Sequence, residues 1–148
     1  MSCANENRQD SLKCDQTSNI YPEDYSINVN PEIYVKISRI NHEIFKNQRF
    51  RSFQAVAIEA ALQRKNLLVL MPNGCGKSLI YQISGYIENK ITVIISPSIS
   101  HIKDQINRLE QVGLNAIFIN GNTSEYSVSE IKNNKILFIF ITAENLTS

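Results

Sequence analysis

A run of apolar residues that ends in Gly-Cys-Gly-Lys-Ser constrains this chain more than any other feature. Leu67 to Leu70 read as a short buried strand. A turn follows, with Pro72, Gly74 and Gly76. Lys77-Ser78 then opens an amphipathic segment with Leu79, Ile80, Ile83, Tyr86 and Ile87 on one face. Strand, glycine-bearing loop, Lys-Ser and helix is the arrangement of a phosphate-binding loop. The glycines let the backbone curl so that its N–H groups point at phosphate oxygens, and the helix N-terminus adds partial positive charge. In that arrangement Lys77 reaches the terminal phosphates and the Ser78 hydroxyl is a ligand for Mg²⁺. Asn73, Gly74, Cys75 and Gly76 line the cradle. The full pattern places a further glycine where Met71 stands. The competing reading is a tight strand-to-helix turn whose lysine is merely solvated.

The rest of the composition sets limits. A length of 148 residues suits one domain or part of a larger one, and a hydrophobic fraction of 43% suffices for a core. The formal net charge is +1, so no global basic field marks a nucleic-acid binder, although a local groove remains open. Cys3, Cys14 and Cys75 are an odd number without metal-ligand spacing, and are expected to be reduced thiols of an intracellular protein. No run approaches the ~20 apolar residues of a membrane span, and no signal-peptide stretch opens the chain. A soluble, intracellular protein without a membrane partner is expected.

Residues 1–28 are polar and expected to be a disordered tail; residues 29–148 are the folded part. Asn30-Pro31 starts a helix that runs to about Phe45, with Ile33, Ile37, Ile40 and Ile44 on one stripe. Ser52 is placed to cap a second helix, with Arg51 and Gln54 at its start. Gln can pair with an adenine edge and Arg can stack on a flat ring, although both also suit a helix surface. Ile91–Ile95 reads as a strand, and Ser96-Pro97-Ser98-Ile99-Ser100 leads into a helix. Its Ile99, Ile102, Ile106 and Leu109 face inward, and Lys103, Asp104 and Arg108 outward. Gly113 closes it. Asn115–Ile119 and Ile136–Ile141 are further strands, separated by a polar loop from Gly121 and a short helix or turn from Val128 to Asn133. Alternating strands and helices predict an α/β fold with a parallel sheet and helices on both faces. Ligands then sit at the carboxyl ends of the strands.

Four pieces fall in order: Phe50-Arg51-x-x-Gln54, Met71 to Gln82, Ser96 to Gln105, and Phe140-Ile-Thr-Ala-Glu144. Together they resemble the first part of the first motor domain of a RecQ-family DNA helicase, over roughly Phe45 to the C-terminus. The resemblance implies an incomplete RecA-like P-loop NTPase fold, ATP and Mg²⁺ as cofactors, and single-stranded or forked DNA as partner. It implies that Arg51 and Gln54 sense adenine, that Lys77 is the catalytic lysine on the triphosphate, and that Ser78 holds Mg²⁺. Ser96, Ser100 and Lys103 would lie along the DNA backbone, with Thr142 and Glu144 nearby. A helix cap and a solvated helix face explain the first three equally well. Nuclear localisation is implied if the source is eukaryotic.

Several positions depart from the family. Asn73 and Cys75 stand where Thr and Gly are usual, and Cys75 would be strained by roughly 1–2 kcal/mol if its backbone required φ > 0. Lys46 replaces the Gly before the adenine motif; Ser98, His101 and Ala143 replace Leu, Leu and Pro. His101 reads as a helix-surface residue. The chain ends at Ser148, before the Asp-Glu-x-His motif, the second motor domain and its arginine finger. Glu144 is an inferior candidate for that carboxylate. Two readings stay open beside an unrelated P-loop ATPase: a helicase motor truncated in sequence, and a non-catalytic nucleotide- or DNA-binding remnant or regulator. A sheet cut at this point should expose an edge and apolar surface, and should favour self-association or pairing with the remainder of a motor.

Overall fold

The computed structural model describes residues 29–51, 53–120, 129, 131, 133 and 136–146. The expected tail over 1–28, the Ser52 cap and most of the loop and turn between Gly121 and Asn133 lie outside these residues. Helix α1 is Pro31–Glu43, α2 Gln54–Leu62, α3 Lys77–Glu88 and α4 Ile99–Gln111; strands are β1 Thr92–Ile95, β2 Ala116–Ile119 and β3 Phe138–Ile141. A short 3-10 helix, Glu144–Leu146, follows β3.

Helix α1 begins as its sequence dictates. The Asn30 side-chain oxygen accepts from the N–H groups of Glu32, at 2.9 Å, and Ile33, at 3.4 Å, with Pro31 in the first turn. Ile37 is wholly buried, and Ile33 and Ile40 pack beside it against α2 and α3. A second cap is Ser98, whose hydroxyl accepts from the His101 N–H at 3.4 Å and starts α4. His101 is exposed on that helix, as expected.

The three strands are parallel in the order β1-β3-β2. The register sets Thr92, Phe138 and Ala116 in one row, and Ile94, Phe140 and Phe118 in another, on one face. Both helices that reach the sheet cover this face. Tyr81 of α3 packs edge-on against Phe138 and Phe140, and Ile102 and Leu109 of α4 join the same cluster. Gly85 lets α3 come down onto the strands: a Cβ there would collide with the Thr92 hydroxyl and press the Phe138 ring. Helices α1 and α2 pack behind α3.

The opposite face holds Val93, Ile139 and Ile117 in one row and Ile95, Ile141 and Ile119 in the next. Among the described residues no helix lies on it, and Val93 and Ile95 are 57% and 56% exposed. Among the described residues the expected two-sided cover is therefore one-sided. Its apolar composition is still that of a doubly buried parallel sheet, which is why periodicity suggested two layers.

A second correction concerns Leu67–Leu70. No strand forms there, and no described strand pairs with it. Val69 and Met71 pack into the helical core, whereas Leu68 and Leu70 are 87% and 84% exposed. In-out alternation of a strand is present, but apolar side chains on its outer side have nothing to bury against. A ladder needs a neighbour as well as a sequence.

The exposed apolar surface has a measurable consequence. Sedimentation should show this chain associating as concentration rises. The double substitution Val93→Lys/Ile95→Lys should shift it toward monomer with unchanged helical circular dichroism. A monomer at every concentration would contradict this reading of the bare face.

Candidate nucleotide site

The loop from Pro72 to Gly76 carries its shape in two glycines. Gly74 and Gly76 have φ of +78° and +79°, conformations that disfavour a side chain. Cys75 between them does not have positive φ, so the conditional strain expected there is absent. Cys75 is 3% exposed. Cys3 and Cys14, the other cysteines, lie outside the described residues. Gly76 is also the N-cap of α3, so Lys77 and Ser78 open that helix as the motif requires.

The loop is tied to the start of α2 by one side chain. Gln54 is 2% exposed. Its Oε1 accepts from the Arg51 N–H at 2.7 Å, and its Nε2 donates to the Gly76 carbonyl at 2.9 Å and the Cys75 carbonyl at 3.4 Å. Arg51 Nη1 donates to the Gly74 carbonyl at 2.8 Å. The two residues singled out for a base thus grip the loop's backbone. Phe53, held at φ +60°, turns the chain between them.

Lys77 also bonds to the loop. Its Nζ donates to the Met71 carbonyl at 2.8 Å, the Pro72 carbonyl at 3.0 Å and Asn73 Oδ1 at 3.3 Å. The ammonium therefore sits across the loop opening, with Asn73 as its side-chain partner.

Beside the loop lies a cavity of about 360 Å³. Arg51, Gln54, Gly74, Gly76 and Ser78 line it, together with Arg49, Gln82, Arg108 and Gln111. Sequence reasoning placed Arg108 outward and did not single out Arg49 or Gln111. The available signal was helical phase: Gln105, Arg108 and Gln111/Val112 recur at spacings of three and four, a polar stripe flanking the apolar one. The donor set suits a nucleotide's phosphates: Arg49, Arg51 and Arg108 line this cavity with Gly74, Gly76 and Ser78, and Lys77 lies in the adjoining loop. For Mg²⁺ the chain offers the half-buried Ser78 hydroxyl, a suitable oxygen ligand beside phosphate oxygens and water.

The residues proposed for nucleic acid gather at the carboxyl end of the strands. Ser96 follows β1 and Thr142 follows β3, and the Ser96 N–H donates to the Ile141 carbonyl at 3.0 Å. Ser100 and Lys103 are exposed on the first turns of α4, and Ser100 shares a 3.0 Å hydroxyl contact with Ser98. Thr142 is only 5% exposed, so its side chain lies beneath that surface. Glu144 is exposed in the 3-10 helix.

A buried polar contact joins the two regions. Gln105 Oε1 on α4 accepts from Tyr81 Oη at 3.1 Å and Gln82 Nε2 at 3.2 Å on α3. Burial pushes the Tyr81 phenol up to about 12, with the Gln82 side chain pulling less strongly the other way.

The sequence profile of the DEAD/DEAH box helicases matches residues 51–148, which hold every residue of the loop, the strap and the sheet. The chain belongs to that family. Within it, the chain resembles RecQ-family members. It is 32% identical over 117 residues to the ATP-dependent DNA helicase Q1 of Rattus norvegicus, covering 75% of this chain and 19% of the relative. It is 39% identical over 109 residues to the ATP-dependent DNA helicase RecQ of Bacillus subtilis (strain 168), covering 70% and 18%. The RecQ-like DNA helicase BLM of Xenopus laevis is 33% identical over 117 residues, covering 75% and 9%. The chain thus spans less than a fifth of the length of these relatives. Its α/β fold, with a parallel sheet and flanking helices, is an incomplete RecA-like P-loop unit. No described helix is long and apolar enough to cross a membrane.

Two stability measurements test the local argument. Gly74→Ala meets nothing within 4 Å, whereas Gly76→Ala places a Cβ 2.5 Å from Gln54 Nε2, and both glycines have positive φ. Urea unfolding should show a loss of about 1 kcal/mol for Gly74→Ala from backbone strain alone. Gly76→Ala should lose more, by the disturbed strap. The Tyr81 phenol, raised in the folded state, stabilises fully below the unfolded pKa near 10. That stability is lost as pH rises toward about 12. Tyr81→Phe should flatten this alkaline decline.

Proposed function

We propose that this chain is the nucleotide-binding part of a RecQ-like DNA helicase motor, taking ATP with Mg²⁺ at the Gly74–Ser78 loop and single-stranded or forked DNA at the strand ends. The observation that carries it is the loop itself: two left-handed glycines, then Lys77 and Ser78 at the head of α3, with Arg51 and Gln54 beside them. In this reading ATP supplies the free energy for 3′→5′ unwinding by the whole motor, as the relatives' names and the family's properties suggest. Roles in repair and recombination, and a nuclear place in a eukaryotic cell, belong to the same reading.

The chain's own residues have definite tasks in it. The Lys77 ammonium releases the Met71 and Pro72 carbonyls and turns its donors to phosphate oxygens, where charge develops during phosphoryl transfer. Ser78 offers its hydroxyl to the metal. Arg51 and Gln54 stand where a base would meet the loop, and Gln54 exchanges a backbone partner for the base edge. On the DNA side, Ser100 and Lys103 offer exposed donors to phosphates and Ser96 lies at the adjoining strand end. Thr142 supports that surface from below. Orienting the attacking water needs a carboxylate, for which Glu144 is the nearby acid of the strand-end motif.

The test is ATP binding and turnover by the 148-residue chain, with and without single-stranded DNA, beside Lys77→Ala. Binding should fall at least about tenfold in the variant, the scale of one charged hydrogen bond. DNA-stimulated turnover abolished by Lys77→Ala would extend the reading to hydrolysis by this chain. Binding without turnover would favour a module that holds nucleotide and leaves hydrolysis to other residues. Absence of nucleotide binding would end the reading.

A further inference from the structure

We propose that Arg49 and Arg108 form an anion-recognition subsite for the same nucleotide, in the cavity beside the loop; this rests on the nucleotide reading above. Neither residue belongs to the loop or to the adenine-motif pair Arg51 and Gln54. They come from unrelated places in the chain. Arg49 lies in the connection between α1 and α2, and Arg108 in the last turns of α4. Both line the cavity that also contains Gly74, Gly76 and Ser78.

Charge and bonding single them out. The lining includes three arginines and no aspartate or glutamate. Arg51 is engaged, donating to the Gly74 carbonyl. The salt bridges among the described residues involve Arg39, Arg64 and Lys90, and none involves Arg49 or Arg108. Two exposed arginines therefore line a concave space that no carboxylate lines. Like charges gathered around a concavity raise the local potential and favour an anion. Gln82 and Gln111 add amide groups, and Phe45, Leu79 and Val112 add apolar surface. A polyanion with an aromatic base matches that lining better than inorganic phosphate alone. Guanidinium groups suit it because each presents a fork of donors to phosphate oxygens.

The consequence is that α4 contributes to both proposed ligands. Its first turns carry Ser100 and Lys103, and its last turns carry Arg108. Gln105 lies between them, bonded to α3.

Isothermal titration of ATP, ADP and tripolyphosphate into the full chain tests this. The variants are Arg49→Glu, Arg108→Glu, their combination, and Lys36→Glu. Lys36 is exposed on α1 and outside the cavity, so it reproduces the change of net charge without touching the subsite. Circular dichroism and thermal melting confirm that each variant folds. Each arginine reversal should weaken ATP binding roughly tenfold beyond Lys36→Glu. The loss should be larger for ATP than for ADP, and Arg108→Lys should restore part of it. Arginine variants that bind ATP within threefold of Lys36→Glu, while the unsubstituted chain binds it well, would overturn the subsite and leave the nucleotide reading intact. Absence of ATP binding by the unsubstituted chain would overturn both.

Discussion

The site depends on the short set of hydrogen bonds made by Gln54. One carboxamide accepts from the Arg51 backbone and donates to two carbonyls of the glycine loop. It fixes the start of α2 against the start of α3, and it does so from a buried position. An unbonded amide there would cost about 1–3 kcal/mol, so the arrangement is held by the penalty for leaving it as much as by its own attraction. The Gly76 backbone can approach Gln54 only because it has no Cβ. Loop curvature, strap and helix start are thus one constraint expressed at three positions.

A second layer of organisation is the pairing of α3 with α4 over the Phe138 and Phe140 rings. The apolar contacts set the distance, and Gln105 with Tyr81 and Gln82 sets the register. Sliding one helix along the other would leave buried polar atoms unsatisfied. The helix that begins at the nucleotide loop and the helix that begins at the proposed DNA face therefore move together or break a satisfied network.

What was legible in the sequence was what local chemistry decides. Asn30-Pro31 and Ser98 announced their helix starts because caps are local. Gly76-Lys77-Ser78 announced the loop because few other arrangements use those residues after an apolar run. The three strands that pair appear within about two residues of their expected limits. What was not legible depended on neighbours. Leu67–Leu70 has the composition of a buried strand, yet Leu68 and Leu70 face outward because no described strand lies beside them. Arg108 looked solvated because its apolar neighbours defined the inner face, and only the packed position of α4 brings it to the cavity. Gln54 was noticed for its chemistry, but its engagement with the loop carbonyls required coordinates.

The three bonds from Lys77 to Met71, Pro72 and Asn73 latch the loop on itself. Its carbonyls already have a cation, and that cation already has acceptors. In the proposed reading a phosphate ligand would have to displace an internal partner, so its apparent affinity would be its intrinsic affinity reduced by the fraction of time the latch is open. Anything that weakens the latch, including a change at Asn73, raises that fraction without adding a single contact to the ligand. Occupancy would then be tuned from within the loop, by how firmly the protein holds its own lysine.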